Sequence, residues 1–312
     1  MRAGAHALSL LSVPLNVHVL QALEPGPLPL IELRQTVGSP PQTTMRGHLR
    51  ALAEAGIVER SRHAGFPGPV DYELAPAGRR LLGVMAALES WLQAAPEAPI
   101  PLDSVAAKSS TKALAEGWSS GIVRALAAKP LALTELSRLI TGLSYPSLER
   151  RLGAMRMTRL IRRCEGSGRG TPYAVTEWLR SAVAPLAAAA RWERKNLPEQ
   201  TSPIRRIDIE AAFLLILPLV DLPPDCSGVC RLAVDTSNGS EHRQAGVLVE
   251  VAEGRIRSCV TRLDGKADAS ALGSASAWIA AVLNSDEHRL EMVGERRLAG
   301  ALSGGMHEAL FR

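Results

Sequence analysis

At 312 residues, with 46% hydrophobic and 21% charged side chains, the chain is long enough for two or three globular domains and too apolar for a disordered one. The net charge of +5 is unevenly spread: Lys and Arg against Asp and Glu give 8 and 8 over residues 1–100, 16 and 8 over 101–200, and 12 and 15 over 201–312. A phosphate-binding surface is therefore expected in the middle third. The longest apolar run, Ala211 to Val220, is about half of what spans a bilayer, and no basic stretch with an apolar core and cleavage site opens the chain. No membrane partner is expected, and the location is expected to be cytoplasmic.

Residues 6–23 read as a helix with Leu8, Leu11, Leu15, Val19 and Leu23 apolar, interrupted by Pro14. A short helix around Ile31 and Leu33 then leads through Gly38-Ser39-Pro40-Pro41 into a second, carrying Met45, Leu49 and Leu52. This runs out at Gly56-Ile57-Val58 into a strand, a Gly/Pro-rich hairpin and a returning strand at Tyr72-Glu73-Leu74. Pro76-Ala77-Gly78 opens a helix through Leu81, Met85, Leu88 and Trp91, and Ala94 to Ser104, with three prolines, is a linker.

The same order then returns. Leu133 and Leu136, the turn Gly142-Leu143-Ser144, a helix with Leu148, Leu152 and Met155, Leu160-Ile161, a glycine-rich hairpin and Tyr173-Ala174-Val175 follow. Leu33 and Leu136, Met45 and Leu148, Leu49 and Leu152, and Ile57 and Leu160 are each 103 residues apart. After the hairpin, Tyr72 and Tyr173, and Trp91 and Trp192, are 101 apart, which reads as a tandem duplication with a shorter second hairpin. A closing helix from Glu177 to about Asn196 carries Trp178 and Trp192.

Beyond Pro198 to Pro203 the composition changes. Ile207 to Leu219 reads as an apolar helix, and strands are expected at Val229–Val234, Ala245–Val251 and Arg255–Arg262, with turn signals at Asn238-Gly239 and Glu253-Gly254. A helix from Ser274 to Leu283, the segment Leu290 to Gly294 and a closing helix through Leu298, Leu302, Met306 and Phe311 complete the chain.

Helix, tight turn, helix and hairpin is the layout of a winged helix-turn-helix. In the second copy, Trp118, Thr134-Glu135-Leu136, Ser144, Leu160-Ile161-Arg162-Arg163 and Pro172-Tyr173-Ala174-Val175-Thr176 resemble the HxlR family of bacterial transcription regulators, close to the MarR group. The first copy is more divergent, with Leu15 in place of Trp118, but Tyr72-Glu73-Leu74-Ala75-Pro76-Ala77-Gly78 fits the family's strand-to-helix exit. Asp268-Ala269-Ser270, Trp278-x-x-x-Val282-Leu283, Leu290-x-x-x-Gly294 and the last helix resemble the sterol carrier protein fold, a sheet and helices around an apolar tunnel. The expected fold class is α+β: winged domains over 1–95 and 105–198, and a sterol-carrier-like domain over 204–312.

Within that frame Ser144 caps the second recognition helix, whose inward Leu148, Leu152 and Met155 leave Tyr145, Ser147, Arg150 and Arg151 facing outward. Arginine can bridge guanine O6 and N7, while Ser and Tyr fix phosphates. Arg162, Arg163 and Arg169 lie on or beside the wing, where Gly166, Gly168 and Gly170 let it bend against DNA. The corresponding set in the first copy is Gln42, Thr43, Thr44, Arg46, Gly47 and His48, with Arg60, Arg62 and His63 on the wing. It is polar but weakly basic, so a second reader and a degenerate copy that only supports the first are both open.

HxlR-like proteins are usually homodimers joined by terminal helices, which implies an intrachain pseudo-dimer here, and a homodimer as the alternative. The resemblance also places an effector cleft near Trp91 and Trp192, although aromatics at such positions are usually core. In the last domain Phe213, Leu217, Trp278, Leu302, Met306 and Phe311 either line a pocket for an apolar small molecule or form an ordinary core. Cys226-x-x-x-Cys230 is more simply a pair of reduced thiols than a metal or redox site, and no metal or cofactor is expected.

No nucleophile elbow, phosphate loop or spaced carboxylate pair points to catalysis, so the chain is not expected to be an enzyme. The expectation is a repressor of double-stranded DNA released by an apolar, aromatic or polyketide-like effector. A ligand-sequestering protein with the winged domains as scaffold is the alternative. A tandem-winged DNA glycosylase is a weaker one, since that family's Gln-x-Gln signature is absent.

Overall fold

A computed structural model describes residues 3–62, 70–117, 120–165, 170–197, 204–236 and 244–311. Trp118, His63, Gly166, Gly168, Arg169 and the Asn238-Gly239 turn lie outside the described residues. The chain divides into two compact units: Ala3–Ala115 with Ala188–Thr201, and Glu116–Ala187 with Ser202–Arg312.

In the first unit the single N-terminal helix expected from the apolar spacing is two, α1 (Ala5–Leu11) and α2 (Pro14–Leu23), bent by 84°. Pro14 has no N–H to continue the first helix and its fixed φ suits the first turn of the second. Then follow β1 (Leu28–Pro29), α3 (Leu30–Thr36), α4 (Gln42–Glu54), β2 (Val58–Arg62), β3 (Val70–Leu74) and α5 (Pro76–Gln93). Met45, Leu49 and Leu52, spaced by four and three, are buried on α4, while Leu33 is buried on α3. The sheet order is β1-β3-β2. Next, α6 (Val105–Lys112) starts where Ser104 Oγ accepts from Ala107 N at 3.0 Å, and passes into a π-helical turn over Ala113–Gly117.

The second unit opens with α7 (Ser120–Ala128), α8 (Leu133–Leu139), α9 (Tyr145–Met157), β4 (Ile161–Arg163) and β5 (Tyr173–Val175). The expected closing helix is again split, into α10 (Glu177–Ser181) and α11 (Val183–Asn196), with Thr176 Oγ1 capping α10 at Leu179 N. Then come α12 (Arg206–Ile216), a 3-10 turn over Leu217–Leu219, β6 (Gly228–Asp235), β7 (Gln244–Ala252), β8 (Arg255–Val260), β9 (Ala269–Ser274), α13 (Ala275–Asn284), β10 (Glu291–Gly294) and α14 (Arg296–Phe311).

The C-terminal sheet runs β10-β9-β6-β7-β8, with β6 parallel to β9 and every other pair antiparallel. Two of its five strands, β9 and β10, fall in segments to which the sequence reading assigned no strand. Cys230, Leu232, Val247, Val249, Ala269 and Ala271 share one face by register and are buried. Helices α12, α13 and α14 pack on the sheet. The β7–β8 turn at Glu253 and Gly254 has φ of 52° and 70°, the left-handed pair that a two-residue hairpin favours.

Helix α12 lies against α7 and α10 as well as β7, which is why the second helix pair and the C-terminal sheet form one unit and not two. Glu210, 3% exposed, sits between Arg124 of α7 (Nε–Oε2 2.5 Å, an ion pair outside hydrogen-bond geometry) and Arg206 (Nε–Oε1 2.6 Å). The Ser120 hydroxyl donates to Asp208, and Arg124 Nη2 donates to Thr261 Oγ1 at 3.0 Å. Arg180 on α10 donates to the Leu214 and Leu215 carbonyls at the end of α12; burial lowers its pKa below the ordinary value, with Glu177 opposing.

Candidate nucleic-acid interface

The two helix pairs share several backbone hydrogen bonds. Ile57 N donates to Leu52 O and Leu160 N to Met155 O, both at 2.9 Å, closing α4 and α9 onto their strands. Ala75 N donates to Ile57 O (3.0 Å) and Thr176 N to Leu160 O (3.1 Å), fixing the strand-to-helix exits. Leu28 pairs with Tyr72 in β1–β3, and Leu131 forms an isolated bridge with Tyr173. Arg60 faces Tyr72 across the first hairpin and stacks on its ring at 5.5 Å; Arg163 does the same with Tyr173 at 5.9 Å. The second residue past α4 is Gly56 at φ 67°, and its counterpart past α9 is Arg159 at φ 58°.

On α9, Leu148, Leu152 and Met155 are buried, Tyr145 and Arg150 are exposed, and Ser147 and Arg151 are half-buried. Ser144 takes the N-cap backbone position, but its hydroxyl makes no capping bond; Pro146 in the first turn lowers the number of N–H groups that need one. Arg162 and Arg163 on β4 are exposed. Arg138, Arg156 and Arg159, which the outward-face reading missed, are exposed as well. Their signal was the excess of basic residues over this third of the sequence.

On α4, Thr43, Thr44, Arg46 and Arg50 are exposed. His48 is a different case, because its Nδ1 meets Asn16 Oδ1 of α2 at 2.9 Å. Asn16 Nδ2 donates to Leu10 O, so Oδ1 is the atom turned to His48 and the ring must carry its proton on Nδ1. His48 therefore ties α4 to α2, and that nitrogen is not offered outward. Arg62 ends β2, where it pairs with Val70. A groove of about 550 Å³ runs between α4 and the hairpin, lined by Pro29, Leu30, Ile31, Gln42, Arg46, Arg50, Arg60, Val70 and Tyr72. Arg50 was not among the residues singled out from the sequence.

Residues 14–98 match the HxlR-like helix-turn-helix family. The match spans α2 to α5. Two curated relatives carry the name uncharacterized HTH-type transcriptional regulator YtfH, one from Escherichia coli (strain K12) and one from Shigella flexneri. Each is 30% identical over 78 residues, or 25% of this chain, and the chain spans 62% of each relative's length.

The residues proposed for an effector fall in two places. Trp91 and Trp192 are both 3% exposed in the first unit, and Trp192 Nε1 donates to Ala77 O at 2.8 Å. In the second unit Phe213 meets Trp278 edge-on at 5.1 Å, Trp278 Nε1 donates to Ala233 O at 2.7 Å, and Leu217, Leu302 and Met306 are fully buried. Phe311 is 44% exposed and lies beside His307. Cys226 and Cys230 are both buried as free thiols, and burial pushes the Cys230 pKa up to about 12, which removes the thiolate that metal binding or exchange needs.

Proposed function

We propose that the chain is a DNA-binding transcription regulator with two winged helix-turn-helix copies in tandem. The observation that carries this is the match of residues 14–98 to HxlR-like helix-turn-helix proteins, on a helix pair whose second helix turns Thr43, Arg46 and Arg50 outward. The name of the relatives points the same way. The repeated hydrogen bonds support a second copy over 120–176, and Tyr145, Arg150, Arg162 and Arg163 are the residues placed to read bases and hold phosphates there.

An intrachain pseudo-dimer is supported by the last turns of α11. Glu193 accepts from the Gly4, His6 and Ala7 backbone N–H groups at the start of α1, and Asn196 Oδ1 accepts from Arg80 of α5. The C-terminal, sterol-carrier-like module is proposed as the sensor of an apolar effector, and the regulator as a repressor. Release requires that the effector prefer the conformation unable to bind DNA, by as much free energy as the DNA affinity lost.

The test is binding to the intergenic DNA beside the chain's own gene at two salt concentrations. Tight, salt-sensitive binding that outcompetes random DNA and collapses in Arg150→Ala/Arg151→Ala is expected. Binding no better than to random DNA and unchanged in the variant would sink the proposal. For the effector, a thermal-shift series with aromatic and polyketide-like compounds should find one that both stabilises the protein and releases the DNA.

A further inference from the structure

Charge counting puts all of the excess positive charge of the chain in residues 101–200 and none in residues 1–100, where 8 basic residues meet 8 acidic ones. The spatial arrangement of the first copy is different. Arg46 and Arg50, one helical turn apart on α4, and Arg60 on β2 line one groove, and no carboxylate is among its lining residues. Like charges four apart on a helix oppose its folding, and neither Arg46 nor Arg50 has a carboxylate partner among the described residues. Arg60 is held in place by its stack on Tyr72. Beside the three cations the wall is aliphatic, with Ile31 73% exposed, and Gln42 is the one further polar side chain that reaches it apart from Tyr72. A row of cations against an apolar wall suits the sugar–phosphate edge of a duplex, with phosphates on the guanidinium groups and deoxyribose on the aliphatic side.

Resting on the reading of the chain as a DNA-binding protein, we propose that the first copy is a phosphate clamp. Arg46, Arg50 and Arg60 hold backbone phosphates of duplex DNA in the groove between α4 and the hairpin. Base-edge reading falls to the second copy, through Tyr145 and Arg150. The first copy then supplies affinity without sequence information, and the second supplies the discrimination.

Binding isotherms over a salt series, on the intergenic duplex and on a random-sequence duplex of the same length, separate these roles. In Arg46→Gln/Arg50→Gln the plot of log affinity against log salt becomes shallower by about 2, since each lost phosphate contact removes ~0.9 from the slope. Both duplexes lose affinity by the same factor, so their ratio holds; Arg150→Gln instead lowers the ratio. Adding Arg60→Ala, with folding checked by circular dichroism, takes a further ~0.9 from the slope. A double variant that keeps the full slope, or one whose ratio between duplexes falls tenfold, overturns the clamp while leaving DNA binding by the whole chain intact. Wild-type protein with no salt-sensitive binding to either duplex overturns both.

Discussion

At the residue scale, two glycines of the first copy separate backbone strain from steric strain. Gly56 has φ 67° and nothing within 4 Å of where a Cβ would stand, so Gly56→Ala forces only the left-handed backbone and is expected to cost about 1 kcal/mol in urea titration. Gly78 has an ordinary helical φ, but a Cβ there would stand 2.1 Å from Ile57 O, the acceptor of the Ala75 N–H. Gly78→Ala must break that exit and is expected to cost at least ~3 kcal/mol, in the range of a disrupted core. Equal losses would mean that the α5–strand junction yields more readily than its geometry implies. The cysteines give a reactivity prediction. Cys230 and Cys259 are both pushed up to about 12 by burial, from an ordinary value of 9.0. At pH 8 their thiolate fraction is about a thousandfold below that of an ordinary thiol, and alkylation by iodoacetamide should follow only after unfolding. In linkage terms the stability held by keeping these thiols protonated is complete below about pH 9 and is lost as pH rises toward 12. Fast labelling of either in the native protein would contradict this.

At the element scale, Glu193 shows how a fold can depend on a carboxylate distant in sequence. Helix α1 has no side-chain cap of its own, and Glu193, 3% exposed, accepts the backbone N–H groups of Gly4 (2.6 Å), His6 (2.7 Å) and Ala7 (3.0 Å) in its place. Glu193→Ala leaves these donors without an acceptor, at ~1 kcal/mol or more each, so a loss of about 3 kcal/mol is expected; Glu193→Gln, which keeps an acceptor, should lose about half as much. Equal losses in the two variants would show that the contribution is packing and not hydrogen bonding. This contact was invisible in the sequence because 186 to 189 residues separate the partners. What was legible was periodic: the Met45-Leu49-Leu52 and Leu148-Leu152-Met155 stripes predicted α4 and α9, and their spacing of 103 residues, which becomes 101 after the hairpin, carried over to the stacked Arg60–Tyr72 and Arg163–Tyr173 pairs. Strands β9 and β10 were missed for the opposite reason. Ala269–Ser274 carries small residues without a clear alternation, and it becomes a strand because the parallel edge of β6 accepts it. The contact of His48 Nδ1 with Asn16 was likewise not legible, because a histidine's polar type fits a DNA-facing set equally well and only the helix packing brings it to α2.

At the scale of the whole molecule, the change in composition near residues 198–204 coincides with a boundary between the two units, yet the C-terminal sheet beyond it packs with the second helix pair and forms no unit of its own. Helix α12 offers Ile209, Phe213 and Leu214 to a buried interior, and its polar residues Asp208 and Glu210 reach Ser120 and Arg124 of α7. A C-terminal module that only hung on a linker would not pack α12 along α7; here the two helices lie against each other. The consequence is that perturbing α12 should be felt in the second helix pair. In Glu210→Ala the two guanidinium groups lose their shared partner, but they are 40% and 65% exposed and water takes over much of the loss, so about 1–2 kcal/mol is expected, not the larger cost of an orphaned buried charge. Hydrogen exchange followed by mass spectrometry resolves where it goes. Amides of α7 and α12 should exchange faster in Glu210→Ala, by the factor of roughly 5–30 that 1–2 kcal/mol implies, while the α1 amides keep their protection; Glu193→Ala should give the reverse pattern. If Glu210→Ala instead loosens only the C-terminal sheet and spares α7, the ion pair is incidental.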